Sequence, residues 1–136
     1  MTADKGGSIL ISGSEVTLEH NMFTDNRASI GGALAFLCQQ FNGCTLTLTN
    51  NTFEGNAANE GGALHYNMVR PHGLDNNKYE RNTAEYGERY SSFPTFIEFS
   101  DSQSLKEIAS GQRLPTSLEF RILDFDKQII SNDNKT

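Results

Sequence analysis

The sequence predicts an all-β protein that folds as a short parallel β-helix of about three coils. A twelve-residue stretch that begins at Phe23 recurs at Phe53 with identical offsets, and a decayed third copy begins at Tyr79. The runs inside each copy are short and alternate apolar and polar residues, as Cys44–Thr49 does, which is typical of half-buried strands. No window up to residue 90 keeps the helical spacing of apolar residues, so we expect no helix there.

Each copy reads Leu-x-x-Asn-x-(Phe/Tyr)-x-x-Asn-x-Ala-x-x-Gly. The glycines Gly6, Gly31, Gly61 and Gly87 lie 25, 30 and 26 residues apart in turn, and this variable period is typical of coils whose insertions lie in loops. The positions that define the repeat are Phe23, Asn26, Gly31, Gly32, Phe53, Asn56, Gly61, Gly62, Tyr79 and Asn82.

Stacking explains why these residue types recur. Equivalent side chains of successive coils, about 4.8 Å apart, lie above one another in a parallel β-helix. We expect an aromatic stack of Phe23, Phe53 and Tyr79, and an aliphatic column of Leu18, Leu48 and Leu74. The asparagines are expected to tolerate left-handed corners and to form hydrogen-bonded ladders, and the glycine pairs to bend the chain. A calcium or sugar site is the alternative role for the asparagines.

The first complete coil is predicted to contain strands at 14–18, 21–24 and 33–37. Its corners are placed at Asn26–Gly32 and around Gly13. Residues 6–11 resemble the strand start of an earlier copy.

The regular stack is expected to end near Gly87, where the charged Glu88 and Arg89 stand in place of small residues. We therefore divide the chain into a β-helix at 1–90, a cap or linker at 91–112, and a β-strand segment at 113–136 that is part of a second β domain. The residues expected to cap the apolar column are Tyr86, Tyr90, Phe93, Phe96 and Phe99. Pro94 argues against a central strand there, and residues 100–104 are a polar linker or the start of a short helix through Ile108.

The final segment is predicted to be a β hairpin, with a strand at 118–123, a turn at 124–127 and a second strand at 128–130. An isolated hairpin is marginally stable in water, so it must pair with the β-helix, with another chain, or with sequence beyond Thr136. The last option is the one we favour.

Composition excludes several functional classes. The chain of 136 residues carries a net charge of −6 and no basic run, so nucleic acid is not an expected partner. No apolar stretch is long enough to span a membrane, and residues 1–7 lack the apolar region of a secretory signal. No cofactor is expected.

Two features bear on cellular location. Cys38 and Cys44 flank an Asn-Gly turn, and their spacing fits two free thiols or a small-loop disulfide better than a metal site. A disulfide would place folding in an oxidising compartment. Asn50 and Asn134 begin N-x-[ST] sequons and are candidate glycosylation sites.

No recognisable nucleophile motif involves the three histidines His20, His65 and His72, and we expect His20 to be a surface strand residue. Polysaccharide cleavage is the serious enzymatic alternative, since it needs two carboxylates across a groove. The candidate pairs are Asp25 with Glu54, and Glu60 with Glu85. We expect these four side chains to be solvated corner residues and the protein not to be an enzyme.

Phe-x-x-Asn followed by Gly-Gly-Ala-Leu, at one offset in two copies, resembles the FxxN and GGA[ILV] repeats of chlamydial polymorphic outer-membrane proteins, and similar repeats occur in surface proteins of protists, including ciliates. The resemblance covers residues 6 to about 87. It implies a right-handed parallel β-helix on a cell surface or in an extracellular filament. It also implies that the segment from Gly111 onward begins an immunoglobulin-like sandwich, and it supplies no catalytic residues.

The expected function is therefore a non-catalytic extracellular structural module, a fragment of a large repeat protein that self-assembles or packs on flanking domains. Its joints are expected at the strand edges of 6–11 and 87–99, since unpaired edges recruit partners. The alternative is an adhesin that binds carbohydrate or a receptor through loops 35–44 and 66–73.

Overall fold

The computed structural model of the protein describes residues 2–40, 42–99, 110–111 and 120–130. Within these residues every regular element is a strand. The strands are β1 Ala3–Lys5, β2 Ile9–Ser12, β3 Glu15–Glu19, β4 Met22–Thr24, β5 Ala28–Ile30, β6 Leu34–Leu37, β7 Thr45–Thr49, β8 Thr52–Glu54, β9 Leu64–Tyr66, β10 Lys78–Glu80, β11 Tyr90–Ser92, β12 Pro94–Phe99 and β13 Phe120–Asp124. No helix in the described residues is long and apolar enough to cross a membrane.

The strands stack as parallel ladders, one rung per coil, in a β-solenoid of about three turns. One sheet has the order β11-β9-β6-β2, a second has the order β10-β8-β4, and β3 pairs with β7 in a third. The pairing keeps the repeat in register, so that Phe53 lies opposite both Phe23 and Tyr79. The predicted short parallel β-helix is thereby confirmed.

The aromatic stack is continuous through the three coils. The ring centroids of Phe23 and Phe53 are 4.9 Å apart, and those of Phe53 and Tyr79 are 5.3 Å apart, with the planes of both pairs nearly parallel. Leu18 pairs in register with Leu48, and Leu74 is buried in the same core. The aromatic column is thus as predicted, whereas the aliphatic column is in register only for Leu18 and Leu48, because the bridge of Thr47 with His72 places Gly73 opposite Leu48.

The glycine pairs are bends for a steric reason. Gly31 and Gly61 have φ of 64° and 66°, in the left-handed region that favours glycine. Gly32 has no room for a side chain, because a Cβ there would lie 2.0 Å from the carbonyl oxygen of Gly62 in the next coil. Gly6 follows the same pattern, and β2 pairs with β6, so residues 6–11 do belong to an earlier copy.

Three predicted strands lie within one residue of β3, β4 and β6, but two details of the corners were wrong. The predicted corner Asn26–Gly32 contains β5, because Ala28 and Ile30 find parallel partners in β1. His20 is not a strand residue, since it has a φ of 54° at an exposed corner.

The left-handed backbone falls on the residues before the ladder asparagines, not on the asparagines themselves. The residues with positive φ at these positions are His20, Asp25, Asn50, Gly55 and Arg81.

The C-terminal residues form a hairpin that turns back onto the last coil. Strand β12 begins at Pro94 and pairs antiparallel with β13. The predicted turn at 124–127 is present, and the N–H of Lys127 donates to the carbonyl of Asp124 over 3.0 Å. The expected strand at 128–130 is reduced to one bridge between Leu123 and Ile129. The predicted linker at 100–104 lies outside the described residues, and the predicted domain boundaries remain predictions.

Candidate functional site

Two asparagine ladders run along the corners of the solenoid, and both were predicted. In each, the side-chain Nδ2 of one asparagine donates to the Oδ1 of the asparagine in the following coil. The first ladder joins Asn21 to Asn51 over 3.1 Å and Asn51 to Asn77 over 2.9 Å. The second joins Asn26 to Asn56 over 2.9 Å and Asn56 to Asn82 over 3.0 Å.

The ladders also tie backbone to side chain between coils. The Oδ1 of Asn51 accepts the backbone N–H of Asn21 over 2.9 Å, and its Nδ2 donates to the carbonyl of Leu18 over 2.8 Å. Asn56 does the same with Asn26 and Phe23. A buried amide that lacks such partners would cost free energy, so the full set of bonds explains why Asn51 and Asn56 can be buried.

One end of the solenoid presents strands with unpaired edges. Strands β1, β2, β3 and β4 each stand at the end of their sheet order, and no described strand lies beyond them. Thr45 donates to the carbonyl of Ser14, and His20 donates to the carbonyl of Thr49, on either side of β3. Because backbone groups alternate in direction along a strand, the N–H and C=O of Thr17 face the open edge.

At the opposite end the C-terminal segment closes β11, whereas β10 has no described strand beyond it. The side-chain carboxylate of Asp124 accepts the N–H of Ser92 over 3.2 Å, and the Nε2 of Gln128 donates to the carbonyl of Tyr90 over 2.9 Å. These contacts occupy backbone groups of β11, so the joint expected within 87–99 is not an open edge at this strand. Burial raises the pKa of Asp124.

A polar cluster holds this segment in place. The Nε of Arg70 donates to the Oδ1 of Asp126 over 2.9 Å, and the hydroxyl of Tyr66 donates to the same carboxylate. Arg70 also contacts Asp75, which accepts the hydroxyl of Tyr90 over 2.8 Å. Burial disfavours the charged guanidinium, but Asp126 and Asp75 outweigh it and raise the pKa of Arg70. Burial, aided by Asp75, raises the pKa of Tyr90 to about 12.

One face of the hairpin carries apolar side chains that are largely exposed. Register pairs Ile97 with Ile122 and Phe99 with Phe120, which places these four side chains on one face. Ile97 is 67% exposed, and Phe99 and Phe120 are each about half exposed. Of the aromatic residues predicted to cap the column, Tyr86 is buried and Tyr90 packs on Tyr79, whereas Phe93, Phe96 and Phe99 are exposed. Residues 120–130, and not these three phenylalanines, pack on the last coil.

His65 and Ser91 form a buried pair that the sequence did not reveal. The Nδ1 of His65 lies 2.8 Å from the Oγ of Ser91, in register between β9 and β11. Both side chains are fully buried, and the Nε2 of His65 has no hydrogen-bond partner among the described residues. Burial, together with the positive charge of Lys5, lowers the pKa of His65 to about 4. The hydroxyl of Ser91 is therefore beside a neutral imidazole but out of reach of a substrate.

The insertion between β6 and β7 is closed by a disulfide between Cys38 and Cys44. Asn67 from the next coil fixes the loop, because its Oδ1 accepts the N–H of Cys38 over 2.8 Å and its Nδ2 donates to the carbonyl of Cys38 over 2.7 Å. Beside it lies an open cleft of about 180 Å³, lined by Gly13, Gln39, Gln40, Asn42, Gly43 and Cys44.

The other predicted site residues are dispersed. Asn50 is exposed at a corner, which suits a glycan, and Asn134 lies outside the described residues. Of the candidate carboxylates, Glu54 forms an ion pair with Arg81 of the next coil. The residue opposite Glu60 in the next coil is Tyr86. Among the described residues, no group of three or more His, Cys, Asp or Glu side chains could hold a metal ion.

No protein family, curated protein or solved structure that we compared matches the chain.

Proposed function

We propose that the protein is a non-catalytic structural module that assembles with other protein chains outside the cell. The observation that carries this proposal is a row of strand edges: β1 to β4 have no described strand beyond them at one end, and at the other end β11 is closed by Asp124 and Gln128 while β10 keeps an unpaired edge. Unpaired strand edges are templates for pairing with another chain. The largely exposed apolar face of Ile97, Phe99, Phe120 and Ile122 offers a second contact surface.

Two features support an extracellular setting, on the cell surface or in a filament. The Cys38–Cys44 disulfide is of the kind that persists in oxidising compartments. The sequon at Asn50 is exposed at a corner, where an attached glycan would point into solvent. The resemblance to FxxN and GGA[ILV] surface proteins points the same way.

The chemistry of the buried polar groups favours a structural role. The pair most like a catalytic dyad is His65 with Ser91, and its hydroxyl is fully buried. A nucleophile needs access to the substrate and a base that is itself oriented by a third group. The Nε2 of His65 has no such partner in the described residues.

Self-association measured by sedimentation tests the proposal. Thr17→Pro removes an N–H that faces the open edge, whereas Thr17→Val changes the side chain and keeps that N–H. We expect the association constant of the parent chain to fall at least about tenfold in Thr17→Pro and to stay unchanged in Thr17→Val, because a lost edge hydrogen bond and a steric block together exceed 1.4 kcal/mol. A parent chain that stays monomeric at every concentration would refute self-assembly.

Carbohydrate binding is a second candidate function, favoured by the cleft beside the disulfide loop. Three of its lining side chains, Gln39, Gln40 and Asn42, carry amides that can donate to and accept from sugar hydroxyls. A glycan array tests it. Binding by the parent chain that is lost in Gln39→Ala/Gln40→Ala, while self-association is unchanged, would support the adhesin function.

A further inference from the structure

The first ladder asparagine at the open end differs from the interior ones in its hydrogen bonds. The Nδ2 of Asn51 donates to the carbonyl of Leu18 in the preceding coil. No described strand precedes β3, and the Nδ2 of Asn21 donates to the carbonyl of Glu19 in its own coil over 3.0 Å. The Oδ1 of Asn51 accepts two hydrogen bonds from Asn21, whereas the Oδ1 of Asn21 accepts none from the described residues. Asn21 therefore has ladder hydrogen-bonding groups that no asparagine of the described residues uses.

The apolar side chains near Asn21 are also less buried than their counterparts in the next coil. Leu46 and Leu48 in β7 are fully buried, whereas their partners Val16 and Leu18 in β3 are only partly buried. One more coil would cover Val16 and Leu18 as β3 covers β7.

The second ladder ends at an open cleft. The Oδ1 of Asn26 accepts the hydroxyl of Ser8 over 2.6 Å in place of a preceding asparagine. A cleft of about 530 Å³ lies here, lined by Thr2, Ala3, Gly7, Asp25, Asn26 and Arg27. The register of Ala3 with Ala28 sets an offset of 25 residues between these two coils.

The last asparagine of the first ladder, Asn77, already uses its Nδ2 within its own turn. The Nδ2 of Asn77 donates to the carbonyls of Gly73 and Leu74 in its own turn, over 2.7 and 3.2 Å. At that end β10 keeps an unpaired edge, but its ladder asparagine and the backbone of β11 already have partners.

We propose that the edge of β3 and β4 binds, in trans, a coil segment of the type Leu-x-x-Asn-x-Phe-x-x-Asn from a neighbouring protein chain. The first incoming asparagine donates its N–H and Nδ2 to the Oδ1 of Asn21. In return, the Nδ2 of Asn21 leaves Glu19 for the incoming carbonyl three residues earlier, as Asn51 bonds to Leu18. The second incoming asparagine replaces Ser8 on Asn26. This inference rests on the proposed assembly function and names the partner of that edge.

A peptide with the sequence of Thr45–Asn56 is the probe, because these twelve residues form the strands that pair with β3 and β4 in the next coil. We expect its titration into the ¹⁵N-labelled full chain to shift the amide signals of residues 15–26, most strongly at Thr17, whose N–H faces the edge. The same peptide with Asn51→Ala and Asn56→Ala should bind at least about tenfold more weakly, since it lacks both ladder contacts. Equal binding by both peptides would overturn the proposed recognition.

A covalent graft tests the edge site independently of whether the segment comes from another chain. The same twelve residues are placed before Thr2 in exchange for Met1, so that the grafted Asn56 falls at position 1. Hydrogen exchange at residues 15–24 should slow at least about tenfold with the graft and less with its double Ala version. Slower exchange without peptide binding would overturn binding in trans, and no slowing in the graft would overturn the edge site itself. Neither result depends on self-association of the parent chain, which tests the proposed function separately.

Discussion

The side chains of Asn26 and Asn56 are joined between successive coils, with the Nδ2 of Asn26 donating to the Oδ1 of Asn56 over 2.9 Å. Asn56 also accepts the N–H of Asn26, donates to the carbonyl of Phe23 and donates to Asn82. One fully buried side chain thus links three coils, which makes it the strongest single test of the ladder.

Replacing Asn56 should therefore destabilise the whole solenoid. Asn56→Ala leaves the N–H of Asn26 and the carbonyl of Phe23 without partners, and we expect the free energy of unfolding to fall by about 3 kcal/mol. Asn21→Ala, at the exposed end of the other ladder, should cost about 1 kcal/mol or less. Urea denaturation followed by circular dichroism measures both, and equal losses would contradict the buried-ladder account.

His65 should make the stability depend on pH. Its pKa is about 4 in the folded protein, against 6.5 as the ordinary value, so the unfolded chain binds more protons between these pH values. The contribution of neutral His65 is fully present above pH 6.5 and is lost as the pH falls towards 4, up to about 3 kcal/mol in all.

Unfolding titrations at pH 7, 5.5 and 4.5 measure this effect against His65→Gln, which should remove it. The raised pKa of Asp124 acts with the opposite sign in the acid range, so the difference between parent and variant is the relevant quantity. His20→Asn is the matched control, because His20 is exposed and Asn50 stands at its position in the next coil. An unchanged pH dependence in His65→Gln would contradict the assignment.

The disulfide should stabilise the chain modestly. It closes a loop with a sequence separation of 6, for which loop entropy predicts about 2 kcal/mol. We expect Cys38→Ser/Cys44→Ser to lower the urea midpoint without a change in the m-value, because the coils themselves remain. Asn67→Ala is the informative companion, since it removes the bonds to Cys38 and leaves the disulfide intact. A lower m-value in the double variant would indicate that whole coils are lost.

Asp126 should hold the C-terminal segment against the last coils. Asp126→Ala leaves Arg70 and Tyr66 without their shared acceptor, and we expect a loss of about 2 kcal/mol confined to that segment. Hydrogen exchange at residues 120–130 should accelerate while the amides of β8 stay protected. Glu80→Gln breaks the exposed pair with Lys78 and should change stability by less than about 0.5 kcal/mol. Faster exchange throughout the solenoid would contradict a local role.

The sequence predicts most of the solenoid because its information is periodic. Repetition at fixed offsets is enough to place Phe53 between Phe23 and Tyr79 and to align both asparagine ladders. It could not locate β5, because Ala28 and Ile30 become a strand only when β1 lies beside them. It also missed His65 with Ser91, since the offset of 26 residues between them is that of the coil but their residue types are not repeated.

The sequence by itself determined the coil, its aromatic column and its bends, since each follows from residue types that recur at one offset. The tertiary structure alone decided how the edge of β11 is closed. Asp124, Asp126 and Gln128 belong to no repeat, and their contacts with Ser92, Arg70 and Tyr90 arise only when the chain reverses onto its last coil. Periodicity determines which side chains stack on one another. A non-repeated segment closes β11 only through side-chain contacts between residues that are far apart in the chain.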